Sequence, residues 1–184
     1  DFGDAVELHF GSMSPGGYAW MFPKEGGANI GVGIQNKFAK GRSLNLFAED
    51  FFGRYGEDVT FSGAGSLPMS GTIDCFVKDN HLLVGDAAGM VLPSNGAGIT
   101  IAMIGGRIAG QTIVTHLNDG TSLHQYENEW KCQMGKVMSN SKRAFRLGSW
   151  ILRLPDWLIN LLFNPLTKPF VWRFVTCRKP FIIF

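Results

Sequence analysis

Leu82-Leu-Val-Gly-Asp-Ala-Ala-Gly89, followed by Pro93-Ser-Asn-Gly-Ala-Gly-Ile99, is the stretch whose reading decides the fold. The run His81 to Val84 is short and apolar, the pattern of a buried strand. It delivers Gly85 and Asp86 at its C-terminal end, where open α/β sheets receive ligands. Asp86 can accept hydrogen bonds from a chain of hydroxyls. Ala87, Ala88 and Gly89 leave room beside it for a flat or bulky group. Pro93 to Gly98 reads as a glycine-rich loop entering a helix, whose free N–H groups and positive dipole end favour negative charge. Taken alone, these residues fit a plain strand-loop-helix turn capped by an aspartate equally well.

Downstream, residues 98–117 are helical in pattern and unusually small, with Ala102, Gly105, Gly106, Ala109 and Gly110. Glycine inside a helix costs about 1 kcal/mol against alanine, so tight packing is expected on that face. Arg107 and the glycines argue for a buried soluble helix rather than a membrane span. Ser122-Leu-His-Gln125 fits a capping box. It opens a helix with Leu123, Tyr126, Trp130, Met134, Val137 and Met138 facing inward.

Upstream, residues 18–34 read as a β-hairpin. Tyr18, Trp20 and Phe22 alternate with Ala19 and Met21, Lys24 to Gly27 supplies a turn, and Ala28, Ile30, Val32 and Ile34 alternate again. The other face of the second strand is Asn29, Gly31, Gly33 and Gln35, a flat strip that signals either tight sheet packing or close approach of a ligand. Residues 43–53 read as a helix with Ser43 at its N-cap and Leu44, Phe47 and Phe51 on one face. Residues 60–68 and 73–77 carry weaker strand patterns. Asp79-Asn80 marks a turn.

The composition limits the function classes. The chain has 184 residues, 45% apolar and 17% charged, which excludes a disordered segment. Glycine numbers 24 without a triplet repeat, so the chain is not collagenous. A net charge of +2 gives no footprint for nucleic acid. From Trp150 onward five cations face the single acid Asp156, a net +4, which leaves −2 on the first 149 residues. Cys75, Cys132 and Cys177 form no CxxC pair, so neither a disulfide framework nor a zinc site is expected, and a reducing, cytoplasmic setting is. His9, His81, His116 and His124 lack metal-ligand spacing, and no Ser/His/Asp triad assembles. No signal peptide opens the chain. Because it begins at Asp1, the sequence reads as the C-terminal part of a longer protein.

Gly85 to Ile99 resembles the second FAD-binding motif of flavoproteins with the para-hydroxybenzoate hydroxylase type of fold. Pro15-Gly-Gly-Tyr-Ala-Trp-Met-Phe-Pro23 resembles the PxxYxWxFP motif of the geranylgeranyl reductase family at every fixed position, and the order and spacing of the two motifs fit. The resemblance covers residues 6–115; the remainder fits as a variable helical region. It implies that the cofactor is FAD, with Asp86 on the ribityl chain. Gly85, Ala87 and Pro93 would shape that site, and Gly96, Ala97, Gly98 and Ile99 would offer backbone to the isoalloxazine ring. An anionic reduced flavin suits a helix N-terminus. Pro15, Tyr18, Trp20, Phe22 and Pro23 would line an apolar cavity for a prenyl-lipid substrate. The implied reaction is hydride delivery from reduced FAD to isolated C=C bonds of isoprenoid chains, with NAD(P)H or a ferredoxin-like protein as electron donor. Related monooxygenases, halogenases and quinone-linked dehydrogenases are alternatives, though halogenases carry Trp where Tyr18 stands. A membrane-surface lipid-binding module is an alternative of another class. The family's GxGxxG motif is missing: Gly63-Ala-Gly-Ser-Leu-Pro68 lacks the third glycine and opens no helix.

The expected architecture is therefore mixed α+β or α/β, the C-terminal portion of a para-hydroxybenzoate hydroxylase-like fold. Residues 1–77 would belong to the antiparallel substrate-binding sheet and residues 78–118 to the FAD-binding portion. Residues 119–184 would form the helical region. The stretch Trp150 to Phe184, rich in Trp and Arg, suits either the membrane interface or helices packed against protein. The aromatics Tyr18, Trp20 and Phe22 also admit a plainer reading as ordinary core.

Overall fold

A computed structural model describes residues 4–56 and 59–162. The fold is mixed α/β, with small antiparallel sheets and four α-helices among these residues. The chain divides into two compact units. One holds residues up to Gly63 together with a segment from Gly148; the other runs from Ala64 to Leu147.

The first unit is built on three antiparallel strands, β1 (Glu7–His9), β2 (Tyr18–Lys24) and β3 (Gly27–Gly33), in the order β1-β2-β3. The expected hairpin is present, with Tyr18 opposite Gly33, Trp20 opposite Gly31 and Phe22 opposite Asn29. Helix α1 (Leu44–Phe52) follows at the expected place and buries Phe47 and Phe51. Ser43 holds the N-cap position, but its hydroxyl makes no capping bond. The core-facing side of β2 is not the aromatic one. Ala19 and Met21 are fully buried, while Tyr18 and Trp20 are half-buried and Phe22 is exposed.

The second unit has one contiguous apolar core. Phe76, Val77, Met90, Ile101, Ile108, Tyr126, Trp130, Met134 and Met138 are among its buried members. Helices α2 (Ile99–Asp119) and α3 (Gln125–Ile151) supply most of it. All the inward positions expected on α3 are buried or partly buried. The capping box is not formed: the Ser122 hydroxyl takes the amide of His124, and the amide of Gln125 goes to the Ser122 carbonyl.

Two strand readings are corrected. Residues 81–84 do not make a buried strand of a parallel sheet. Val77–Lys78 (β4) and His81–Leu82 (β5) form a two-stranded antiparallel hairpin, on which His81 is exposed and Leu82 half-buried. The Asp79-Asn80 turn is real, with Asp79 at φ 51°, and it folds β5 back onto β4 before the run can enter a larger sheet. Residues 59–76 hold no strand or helix, so of the weak strand patterns at 60–68 and 73–77 only Val77 lies in a strand. Gly63, Gly65 and Pro68 within that stretch have low strand propensity. The tail beyond residue 162, with Trp172, Cys177 and its cations, lies outside the described residues.

Helix α2 answers the question of its glycines only in part. A Cβ on Gly105 would stand 2.6 Å from the sulfur of the buried Met90, so that position is tightly packed. Gly106 meets only the edge of Val84 at 4.0 Å, and Gly110 meets nothing. Among the described residues no helix is long and apolar enough to cross a membrane.

Candidate functional site

The aromatic motif builds a ladder on one face of the sheet in the first unit. Tyr18 and Trp20 have ring centroids 5.8 Å apart, and Trp20 and Phe22 6.2 Å. Phe10 extends the row, its centroid 6.2 Å from that of Tyr18. Such offset and tilted pairs add to simple area burial. The flat strip on β3 is what allows the ladder to lie down. A Cβ at Gly31 would fall inside the indole of Trp20. The indole N–H then donates to Asn29 Oδ1 at 2.8 Å. Of the two readings of the glycine strip, the structure selects tight packing, and the close neighbour is the chain's own tryptophan. Pro15 is half-buried, and its carbonyl receives the Gln35 amide at 2.9 Å. Pro23 is half-buried at the far end of the row. The burial of Tyr18 raises its phenol pKa above the ordinary value.

On the opposite face of the sheet, where Glu7 pairs with Met21 and His9 with Ala19, Glu7, His9 and Tyr55 form a polar cluster that the sequence pattern did not signal. Tyr55 donates to Glu7 Oε2 at 2.8 Å, and His9 Nε2 lies 3.0 Å from the same oxygen. The Tyr55 and His9 contacts hold the Glu7 carboxyl below its usual range. Burial and the Glu7 bond push Tyr55 up to about 12. A second tether joins Asp156, at the start of α4 (Asp156–Leu162), to the loop before the motif: the amide and hydroxyl of Ser12 donate to its two carboxylate oxygens.

The glycine-aspartate motif lies in the second unit. Gly85–Ala88 forms a 3-10 turn, entered by Gly85 at φ 64° and closed by Gly89 at φ 65°. Both values belong to the left-handed region that suits glycine. Gly85 and Ala88 are buried, and Asp86 and Ala87 face outward. Pro93 is fully buried and anchors the next loop. That loop closes on itself, with Gly96 N–H donating to Leu92 O at 2.8 Å and Leu92 N–H to Ala97 O at 3.0 Å. Ala97 N–H goes to Asn95 Oδ1 at 3.0 Å. Gly98 caps α2 with no side-chain bond, so the first N–H groups of the helix keep no side-chain acceptor. A Cβ on Gly98 would stand 3.7 Å from Asp86 Oδ1 and 3.4 Å from Val91. Asp86, Gly98 and the exposed Ala97 and Ile99 thus share one neighbourhood, with Leu67 against Gly96.

Two polar anchors of this unit escaped the sequence reading. Glu127 on α3 accepts the amides of Phe76 and Val77 at 2.8 and 3.0 Å. Burial pushes its carboxyl up, but these amides and His124 pull it down further, to below the usual value. Ser141, fully buried on α3, bonds to Ser94. Partners about 50 residues apart leave no local spacing signal. Among the described residues no group of three His, Cys, Asp or Glu could hold a metal.

The first unit thus carries an aromatic ladder over a glycine strand, and the second a Gly-Asp turn beside an uncapped helix. The family described as geranylgeranyl reductase catalytic domain matches residues 3–63. Digeranylgeranylglycerophospholipid reductase 2 of Methanothermobacter thermautotrophicus is 39% identical over 148 residues, 75% of this chain and 37% of that protein. The digeranylgeranylglycerophospholipid reductase of Methanocaldococcus jannaschii is 37% identical over 138 residues, 68% of this chain and 34% of that protein. In fold, the chain is similar to a geranylgeranyl bacteriochlorophyll reductase-like protein from Thermoplasma acidophilum, with a TM-score of 0.77 at 24% identity. That match covers 94% of this chain and 46% of the other. Residues 3–63 thus match the catalytic domain of the geranylgeranyl reductase family, and 75% of the chain is similar to one of these reductases. It spans little more than a third of the length of these reductases.

Proposed function

We propose that the chain is part of an FAD-dependent reductase that saturates C=C bonds in the isoprenoid chains of lipids. The observation that carries this reading is the Asp86 carboxylate standing beside the uncapped start of α2. The fit is chemical. A carboxylate accepts from sugar-like hydroxyls, free N–H groups favour a negatively charged ring, and the missing Cβ at Gly98 opens the backbone between them. Gly85, Asp86 and Ala87 would hold the ribityl end, and Pro93, Gly96, Ala97, Gly98 and Ile99 would frame the ring. This corresponds to the FAD portion of a para-hydroxybenzoate hydroxylase-like fold within residues 78–118, with the substrate sheet in residues 1–77 and the helical region from residue 119. When bound, reduced flavin supplies the hydride.

The aromatic ladder supports the lipid half of the proposal. Phe22, 39% exposed, and the half-buried Tyr18 and Trp20 offer a fixed apolar wall that the core of their own unit does not consume. Pro15 and Pro23 bracket it. The names of the relatives supply the substrate class: a glycerophospholipid carrying two geranylgeranyl chains. Contact with a membrane surface belongs to the same reading. Trp150 and Trp157 are 72% and 69% exposed, and the Arg153 guanidinium sits 5.8 Å from the Trp150 ring, a pairing suited to headgroup depth.

The test is the visible spectrum of the intact protein and its response to Asp86→Ala. Wild type should purify with flavin bands. The variant should bind FAD about ten- to a hundredfold more weakly, the worth of hydrogen bonds to a charged acceptor. A colourless wild type that binds no added FAD, or an Asp86→Ala variant with unchanged affinity, refutes the assignment.

A further inference from the structure

We propose that Ser141 is a positioning residue, one that fixes the Pro93–Gly98 loop in the shape that receives the flavin. The inference rests on the flavin reading above and adds to it a residue some 45 positions away on another element. Ser141 has no exposed surface. A serine inside a helix usually returns its hydroxyl to a carbonyl of its own preceding turn. This one reaches out of its helix instead. The Ser94 amide donates to Ser141 Oγ at 3.0 Å, and the two hydroxyls share a second hydrogen bond at 3.0 Å.

The geometry gives this bond pair leverage. The loop is internally closed by the bonds from Gly96 to Leu92 and from Leu92 to Ala97, so it moves as one piece. Its entry, Pro93, is buried, and its exit, Gly98, is the N-cap of α2. Ser94 follows the entry directly. A hydroxyl that accepts an amide and bonds a side chain of the same residue fixes both the height and the rotation of that residue over α3. The Ala97 and Gly98 backbone and the Asp86 carboxylate near it are thereby held at a set separation. Without the hydroxyl, the part-buried Ser94 amide loses its acceptor on α3, and the loop loses that tether.

The experiment compares Ser141→Ala, Ser94→Ala and Ser149→Ala in the intact protein. Ser149 is a matched control: it is also buried on α3, and its hydroxyl has no hydrogen-bond partner. Three readouts are taken: FAD dissociation constant, position of the flavin's visible bands, and hydrogen exchange at the amides of residues 95–99 without added flavin. Ser141→Ala should raise the dissociation constant about three- to tenfold, move the bands and speed exchange at those amides. Ser94→Ala keeps the amide bond and should do the same to a smaller degree, which covers the case in which Ser141→Ala does not fold. Ser149→Ala should change none of the three. A Ser141→Ala protein of lower melting temperature, with unchanged flavin affinity, bands and exchange, overturns the proposal, because a purely structural serine behaves that way. The two readings fail separately. A wild type that takes up no flavin refutes the flavin site itself, whereas flavin binding with exchange unmoved by Ser141→Ala refutes only the anchor.

Discussion

The two units use glycine against a flat surface in different ways. On β3, Gly31 lies under the indole of Trp20, a residue of the adjoining strand, and nothing from outside is needed to explain it. On α2, Gly105 is explained by Met90 and Trp130 of its own core, but Gly106 only grazes Val84 at 4.0 Å and Gly110 has open space before it. A small residue in a sequence announces room. It does not say whether the molecule's own side chain fills that room. In the sheet the occupant is the residue directly opposite on the adjoining strand, legible once the hairpin register is known. In the helix only one of three glycines has a filled space.

The sheet side of the comparison breaks first at Gly31. Gly31→Ala puts a methyl where the indole lies, so Trp20 must swing away and lose its bond to Asn29. The expected cost is about 1–3 kcal/mol, typical of overpacking, together with a shift in tryptophan fluorescence. Adding Trp20→Leu should make the alanine nearly free, because the double variant removes the collision. If Gly31→Ala costs the same with and without Trp20, the ladder is not what demands the glycine.

The second unit has a much smaller sheet, and a carboxylate substitutes for ladder bonds. Glu127 ties β4 to α3 through two backbone amides. Because its folded-state pKa lies below the ordinary value, its stabilisation is complete above about pH 4.5 and is lost as pH falls through the folded value. Glu127→Gln keeps an acceptor but removes the charge. It should cost about 1 kcal/mol at neutral pH, the difference between charged and neutral acceptors. Acid titration of melting temperature checks the sign: the variant and wild type should converge as pH falls below the ordinary carboxylate value and through the lowered folded one. A constant gap across that range would show that the charge is not involved.

Gly105→Ala sets two known effects against each other. The methyl meets Met90 at 2.6 Å in a fully buried setting, a cost of about 1–3 kcal/mol. Alanine returns up to about 1 kcal/mol of helix propensity. The net should be destabilising by about 1 kcal/mol in a denaturant titration.

What could be read from sequence follows from range. The hairpin, α1, the inward face of α3 and the Asp79 turn rest on local periodicity and turn chemistry, and each is where the pattern puts it. Residues 81–84 misled because a short apolar run looks alike in a buried strand and in a hairpin arm; the adjacent Asp-Asn turn decided between them. The motif residues Asp86 and Gly98 were legible as a group because they lie within a dozen positions. Glu127, Ser141 and the Ser12 bonds to Asp156 were not, since each acts on a partner far along the chain and no spacing rule reaches it. That the aromatic face of β2 is the outward one also needed the structure: both faces alternate, and only the placement of α1 against β3 makes Ala19 and Met21 the buried set.

Gly110→Ala is the smallest and most diagnostic of the helix changes. No heavy atom lies within 4 Å of the new methyl, so no collision opposes the gain in helix propensity, and the variant should be more stable by about 0.5–1 kcal/mol. Set beside Gly105→Ala, five residues earlier on the same helix, it gives opposite signs for one and the same chemical change. Denaturant midpoints of the two variants, measured at equal slope, read that contrast directly. The exposed neighbours Met103, Val114 and Leu117, 71%, 59% and 77% accessible, sharpen what a failure would mean. If Gly110→Ala destabilises the intact protein while stabilising the 184-residue chain, the space before Gly110 is filled in the intact protein, and this glycine belongs with Gly31 and Gly105. If it stabilises both, the glycine is a tolerated weakness of the helix, and the contrast between sheet and helix stands.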